Sequence, residues 1–413
     1  MVFLYDLGIR VYTFMIRLAS LKSAKAKAWL LGRQNLLKRI EQAIDPRVHY
    51  TWFHFASLGE FEQGRSVMEH LKAQKKGTHI FITFFSPSGY EIRKDYPLAD
   101  HVFYLPTDTE ANAREFIRLI NPVMAIFTKY EYWYHYFDEL HKKQIPLYVI
   151  SAIFRKDQPF FKFYGFLHRN MLGCVSHFFV QNNESRMLLQ SLAINQVTVI
   201  GDTRFDRVVE NALHPKSFDL IKSFCGNKHV LIAGSTWPAD EKLLVELARE
   251  QSEWKFIIAP HEISENKIVH LEKQLSEINA IRYSVLTNQV SGLSTQYSVL
   301  IIDNIGMLSS LYQYGQIAYI GGGFGSGIHN ILEAAAFGLP VLFGPNHHKF
   351  QEAKDMIELG AAFPINNLIE LETAFNKLND ESNWLKCGRV ADKYVKNRAG
   401  ATREIVKQLL LKS

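Results

Sequence analysis

Short runs rich in Val, Ile, Phe and Tyr, each followed by a stretch long enough for an amphipathic helix, constrain this chain more than any other feature. Seven such runs fall at 49–56, 79–85, 101–105, 123–128, 147–153, 177–181 and 197–200, and after residue 228 the rhythm restarts with runs at 229–234, 255–259, 298–302, 317–320 and 339–343. Strands alternating with helices imply parallel sheets covered by helices on both faces, and two series of this size imply two doubly wound α/β domains. A chain of 413 residues, too long for one ordinary core, fits that division. The stretch TRFDRVVENALHPKSFDLIKSFCGNK at 203–228 holds charges and a proline but no strand-like run, so the join falls there. The expected organisation is an N-terminal segment at 1–47, a Rossmann-like domain at 48–205, a linker at 206–228 and a second Rossmann-like domain at 229–413. No short-period repeat is present, which excludes a solenoid or propeller. Ligands of such open sheets bind beyond the carboxyl ends of the strands, so the two domains are expected to face each other across a cleft.

The formal charge of +6 has an address. Residues 1–47 hold nine Lys and Arg against three Asp and Glu, leaving 38 against 38 in the rest of the chain. A neutral body argues against nucleic-acid binding, which needs basic residues spread over a folded face. Asp6, Arg10 and Arg17 interrupt the apolar residues before Leu21, so neither a spanning helix nor a cleavable signal peptide is indicated. On a helix, Asp6, Arg10, Thr13, Arg17 and Ser20 form one narrow stripe, and Phe3, Leu4, Tyr12, Phe14, Met15 and Ile16 cover the rest. Lys22, Lys25, Lys27, Arg33, Lys38 and Arg39 follow. A wide apolar face with a basic flank is the pattern of a helix lying on an anionic membrane surface. The alternative, a terminal helix docked on its own domain, leaves the adjacent cations unexplained. Cys174, Cys225 and Cys387 lack the spacing of a disulfide framework or a metal site, which points to a reducing cytoplasm and, with the N-terminal segment, to the cytoplasmic face of a membrane.

Four clusters carry potential chemistry. GGGFGSGIHNILEAAAFG follows a strand and predicts a helix from near Ile328, whose free N–H groups and adjoining glycines suit a phosphate, with His329, Asn330 and Glu333 in the first turn; the alternative is a flexible loop with tight helix–strand packing. Its spacing is neither that of a dinucleotide fingerprint nor that of a Walker loop. Ser57-Leu58-Gly59-Glu60, at the end of the first strand, reads equally as a capping box and as a general base on a rigid element. Thr128-Lys129-Tyr130-Glu131 repeats that pattern after another strand, before Trp133. Arg204 and Arg207 in GDTRFDR are either an anion site or a solvated hinge, and Pro260 and His261 in IIAPHEISE gain interest only from their place after a strand.

In order and spacing, HFASLGE at 54–60, FFSPSGYE at 84–91, EYW at 131–133, GDTRFD at 201–206, AGSTWPADE at 233–241, APHE at 259–262 and IHNILEAAAFGLPVLFGP at 328–345 resemble one family, the 3-deoxy-D-manno-octulosonic acid (Kdo) transferases of lipopolysaccharide synthesis. The resemblance implies a GT-B architecture, two facing Rossmann-like domains with an N-terminal membrane-associating helix, at the cytoplasmic face of the bacterial inner membrane. It implies inverting transfer of Kdo from CMP-Kdo to a lipid A precursor, with no cofactor and no metal. Carried across by position, it makes Glu60 the general base, puts Glu131 and Arg204 in support of the transition state, and assigns nucleotide contacts to Pro260, His261, Ile305, Gly306, Met307, Asn330, Ile331, Leu332 and Glu333. The chain departs from the family at Lys129, where another Glu is common, at Arg204, where Lys is usual, at APHE, which lacks an Arg after the Pro, and at IHNILEA, which replaces GGHNPLEP. The alternatives are another GT-B transferase or an epimerase using a UDP-sugar, and a non-catalytic nucleotide-binding protein of the membrane surface.

Overall fold

The computed structural model describes residues 2–288 and 296–412. It separates into two compact units, Met1–Arg207 together with Ala399–Ser413, and Val208–Arg398.

The first unit is built on strands β1 (Tyr50–Phe55), β2 (His79–Phe84), β3 (His101–Tyr104), β4 (Met124–Thr128), β5 (Leu147–Ala152), β6 (His177–Val180) and β7 (Val197–Val199). They form one sheet in the order β3-β2-β1-β4-β5-β6-β7, and its pairings are parallel. Every residue of β1, β4 and β5 is buried, so these strands read as continuous apolar runs rather than alternating ones, as a sheet covered on both faces requires. Chain order reverses between β1 and β4, which opens a crevice beyond their carboxyl ends.

The second unit repeats the plan with β8 (His229–Thr236), β9 (Trp254–Pro260), β10 (Ala280–Arg282), β11 (Val299–Ile301), β12 (Ile317–Ile320), β13 (Val341–Phe343) and β14 (Ala362–Pro364), in the parallel order β10-β11-β9-β8-β12-β13-β14. Its reversal lies between β8 and β12. The apolar runs of the sequence anticipate all of these strands except β10 and β14. Both are three residues long and lie at the two edges of the second sheet, where a strand has one neighbour and little apolar surface to bury.

The unit boundaries differ from those expected. Helix Leu36–Ala43 sends Leu36 and Ile40 into the cluster around Tyr50 and Trp52, so the first unit's core starts inside the segment assigned to 1–47. The stretch expected as a linker at 206–228 is largely helical, in Thr203–Leu213 and Asp219–Cys225. The last helix, Ala401–Lys412, buries Ile405, Val406 and Leu409 beside Phe53, Phe55 and Phe61 of the first unit, not in the domain expected at 229–413. An amphipathic helix needs an apolar surface to cover, and this one finds it on the first sheet's flanking layer.

The N-terminal helix Val2–Ala19 has one side against the protein and one away from it. One edge docks on its own unit. There the Tyr5 hydroxyl donates to the Asp108 carboxylate, the Asp6 carboxylate lies 2.6 Å from His135 Nε2, and the Tyr12 ring packs against Trp29 and Phe85. Elsewhere Phe3 (73% exposed), Leu4, Leu7, Val11, Phe14 (57%), Met15 and Leu18 face outward. Among the described residues no helix is long and apolar enough to cross a membrane. Of the basic flank, Lys22, Lys25, Lys27, Lys38 and Arg39 are exposed. Arg33 instead turns inward, its guanidinium 3.8 Å from the centre of the Trp29 ring and donating to the carbonyls of Trp29, Phe85 and Leu105.

Candidate functional site

In the first unit the two carboxylates expected at strand ends come together at the crevice between β1 and β4. Glu60 sits in the first turn of helix Leu58–Gln74, and its Oε2 accepts the Ala56 N–H at 2.6 Å. The Ser57 N–H also reaches the carboxylate, while the Ser57 hydroxyl makes no return bond, so only half of the capping box forms. Burial, then the neighbouring charge of Glu131, push Glu60 up to about 7, against the backbone donors and Lys129. A carboxyl group that titrates near neutrality is what general-base work at physiological pH requires.

Glu131 lies beyond β4 after a turn in which Lys129 adopts φ 60°, a left-handed conformation rare for a residue with a Cβ. That turn brings Tyr130, Glu131 and Trp133 to the strand end. The Trp133 indole donates to Glu131 Oε2 at 2.9 Å, and His54 Nε2 lies 3.3 Å from the same oxygen. Lys129 and Arg155 stand over the Tyr130 ring at 5.8 and 6.0 Å, and the charges of Arg204 and Glu60 also act on that phenol. Arg204 is thus drawn into the neighbourhood although it sits at the start of helix Thr203–Leu213, after the edge strand β7; its Nε is held 2.8 Å from Asp202.

In the second unit the loops after β8, β9 and β12 meet through a stack of rings. Trp237 and His261 lie 4.9 Å apart, His261 and His329 4.4 Å apart, and the Trp237 indole donates to His329 Nε2 at 3.1 Å. Burial and the His261 ring hold His329 below its ordinary value. Pro260 ends β9, and the Ile305-Gly306-Met307 turn follows β11, the next strand, with Ile305 88% exposed, Gly306 at φ 91° and Met307 buried.

The glycine loop departs from expectation. No helix begins near Ile328; the helical residues are Leu332–Ala335. The Asn330 side chain accepts the Leu332 N–H at 3.2 Å and the His329 N–H bonds to the Gly321 carbonyl, which stops helix growth toward the glycines. Loop donors are also engaged inside the fold: Gly321 to Gly234, Gly322 to the Asp240 carboxylate, and Gly325 and Gly327 to the Gly322 carbonyl. The glycines serve close packing instead. A Cβ on Gly323 would stand 2.6 Å from the Gly344 backbone. Ile331, Leu332 and Glu333 follow in that short helical turn, with Ile331 and Leu332 buried and Glu333 accepting from Asn330 at 3.2 Å.

A family model described as 3-deoxy-D-manno-octulosonic-acid transferase (kdotransferase) matches residues 31–207. Curated 3-deoxy-D-manno-octulosonic acid transferases extend the likeness past that domain. The protein of Haemophilus influenzae is 26% identical over 408 residues, covering 95% of this chain and 93% of that one, and the protein of Aquifex aeolicus is 26% identical over 335 residues, covering 79% and 85%. Residues 31–207 match the Kdo transferase domain model, and over most of its length the chain is similar to Kdo transferases. Another relative, a bifunctional glycosyltransferase/methyltransferase of Fusobacterium nucleatum, is 24% identical over 346 residues, and the match covers 81% of this chain but about half, 53%, of that protein. Among solved structures, a UDP-GlcNAc 2-epimerase of Neisseria meningitidis (TM-score 0.61, 16% identity, 87% of this chain and 99% of that one) and a glycosyltransferase of Rickettsia africae (0.56, 14%, 88% and 100%) share the fold. The two parallel-sheet units are those of the GT-B class.

Sequence motifs do not mark two groups of the site. His54 lies near the carboxyl end of β1 in an apolar run and reads as core. Asp240, fully buried, accepts from Gly322 N–H, Trp237 N–H and the Tyr319 hydroxyl, and so ties the loops after β8 and β12 together. Its signal was the position three residues after Trp237, where a helix N-terminus favours a carboxylate. Among the described residues no three His, Cys, Asp or Glu side chains gather as a metal ligand set, and all three cysteines are free.

Proposed function

We propose that the chain moves Kdo from CMP-Kdo to a lipid A precursor with inversion, releasing CMP. The observation that carries the mechanism is the Glu60 carboxyl group, held near 7 beside Glu131 at the crevice of the first sheet. In this reading Glu60 takes the proton of a glucosamine hydroxyl on the acceptor. The hydroxyl oxygen forms a bond to the anomeric carbon of Kdo as the bond from that carbon to the cytidylate oxygen breaks on the opposite face. Arg204, with Lys129 and Arg155 beside it, offsets the developing negative charge, and a guanidinium at 204 offers a planar fork where the family usually has an ammonium point charge. Pro260, His261, the Ile305–Met307 turn and Asn330–Glu333 hold the nucleotide. The transfer runs without a cofactor or divalent metal.

Incubation with CMP-Kdo and tetraacylated lipid A precursor, read by mass spectrometry, is expected to give the Kdo adduct and CMP, at an unchanged rate in EDTA. Product formed from UDP-sugars instead of CMP-Kdo would overturn the donor assignment, and a rate abolished by EDTA and restored by a divalent cation would overturn metal independence.

The exposed apolar side of helix Val2–Ala19 and the exposed lysines behind it support a peripheral seat on an anionic bilayer, at the cytoplasmic face of the inner membrane. Deleting residues 1–21 is expected to release the protein from anionic vesicles in co-sedimentation. Full retention after the deletion would count against this seat.

A further inference from the structure

Glu131 is held from behind by an unbroken series of buried polar side chains that the proposed reaction does not use directly. The Trp52 indole lies 2.8 Å from Thr83 Oγ1, that hydroxyl lies 2.8 Å from His54 Nδ1, and His54 Nε2 lies 3.3 Å from Glu131 Oε2. Trp52, Thr83 and His54 are at or near zero exposure, and β1 and β2 set their spacing through the pairing of His54 with Thr83.

Donor and acceptor chemistry gives this series one direction. An indole N–H can only donate and a carboxylate can only accept. Trp52 therefore donates to the Thr83 oxygen, the Thr83 O–H donates to His54 Nδ1, and His54 keeps its single proton on Nε2, directed at Glu131. The opposite tautomer would set an Nε2 lone pair against the carboxylate. Burial, the largest influence, holds His54 below its ordinary value, and Arg33 acts the same way against the pull of Glu131 and Thr83, so the neutral ring with one defined tautomer persists at physiological pH. With the Trp133 indole on the same oxygen, Oε2 is fixed by two donors, and Oε1 lies outside the series.

We propose that His54 is a positioning residue for the transfer reaction: oriented by Thr83, it fixes Glu131 so that this carboxylate stands against Glu60 and keeps Oε1 available to the reacting groups. The proposal rests on Glu60 being the base and deepens that reading. Glu131 faces Glu60 together with Lys129, Tyr130 and the Ala56 and Ser57 N–H groups. A Glu131 released from its anchor loses its fixed opposition to Glu60, and the base then titrates at lower pH.

The test compares His54→Phe, His54→Gln and Thr83→Val with the unaltered full chain, measuring kcat and KM for CMP-Kdo from pH 5 to 9 beside thermal unfolding. His54→Phe keeps an aromatic ring against Phe127 and removes both ring nitrogens. It is expected to lower kcat about 30-fold with KM within roughly threefold, and to move the acid limb of the pH profile down by at least about half a unit. His54→Gln, which restores a donor toward Glu131, is expected to recover most of the rate. Thr83→Val, which leaves the ring but frees its tautomer, is expected to shift the limb in the same direction. Lower melting temperatures with an unmoved acid limb and unchanged kcat per folded molecule would show a structural role only and overturn the proposal. If His54→Phe does not fold, Thr83→Val decides in the same two ways. Retained transfer by Glu60→Gln would instead remove the reading beneath it, whereas a dead Glu60→Gln with unmoved limbs in the other variants removes this inference alone.

Discussion

Glu60→Gln is expected to transfer Kdo roughly 10² to 10⁴-fold more slowly, the usual share of a positioned general base, while CMP binding stays unchanged. The unaltered enzyme should gain activity with rising pH through about 7, because the base must be deprotonated to work and burial with Glu131 holds it there. The same shift makes a stability statement of opposite sign. A carboxyl group whose folded value is raised binds its proton more tightly folded than unfolded, so its contribution is fully present below the unfolded value and is lost as pH rises through about 7. Raising the group from 4.5 to about 7 corresponds to at most about 3 kcal/mol. The Gln variant should therefore melt at nearly the same temperature as the unaltered chain at pH 4 and several degrees higher at pH 8. Equal melting temperatures at pH 8, or substantial residual transfer, would each refute a strained base at this position. The carboxylate is kept at a cost to the fold, which fits a group retained for chemistry rather than for capping.

Arg33→Ala is expected to destabilise the first unit by about 4 kcal/mol, since it strips three carbonyls of their donor at about 1 kcal/mol each and removes a cation–π stack worth about 1–2 kcal/mol. The carbonyls are those of Trp29, Phe85 and Leu105, and the stacked ring is Trp29. Thermal unfolding should show a loss of about 10 °C for a unit of this size. Binding to anionic vesicles should be unaffected in the folded protein, because this guanidinium points into the domain and contributes nothing to the basic flank. A variant that leaves the melting temperature in place and weakens vesicle binding would reverse that assignment.

Arg33 also shows where sequence reasoning stops. In a charge tally it is one cation among six, and only the proximity of Trp29, Phe85 and Tyr104 reveals that it is enclosed. The strands with two buried faces were legible because burial on both sides writes an unbroken apolar run. Three-residue edge strands write no run at all. SLGE carried both meanings of Glu60, and the structure shows half of each: one carboxylate oxygen caps backbone donors, and the group still titrates near neutrality. The opposition of Glu60 and Glu131 depends on β1 pairing with β4, a strand order that no local pattern encodes. Asn330 misled in a different way. NILEAAA has the propensity of a helix, yet the asparagine side chain caps the first turn from within and leaves the residues before it outside the helix. His54 was invisible because a buried histidine in a strand differs from its apolar neighbours only through the partners that the neighbouring strands bring to it.

The return of helix Ala401–Lys412 to the first unit makes residues 208–398 an insertion within that unit rather than its successor. Synthesis runs from the N-terminus, and domains ordinarily close as they emerge from the ribosome. Here the flank formed by Phe53, Phe55 and Phe61 stays uncovered until the entire inserted unit has been made and Ile405, Val406 and Leu409 arrive. The half that carries the proposed base is begun first and finished last, so a chain interrupted anywhere in the second unit leaves an open apolar face rather than a completed first domain.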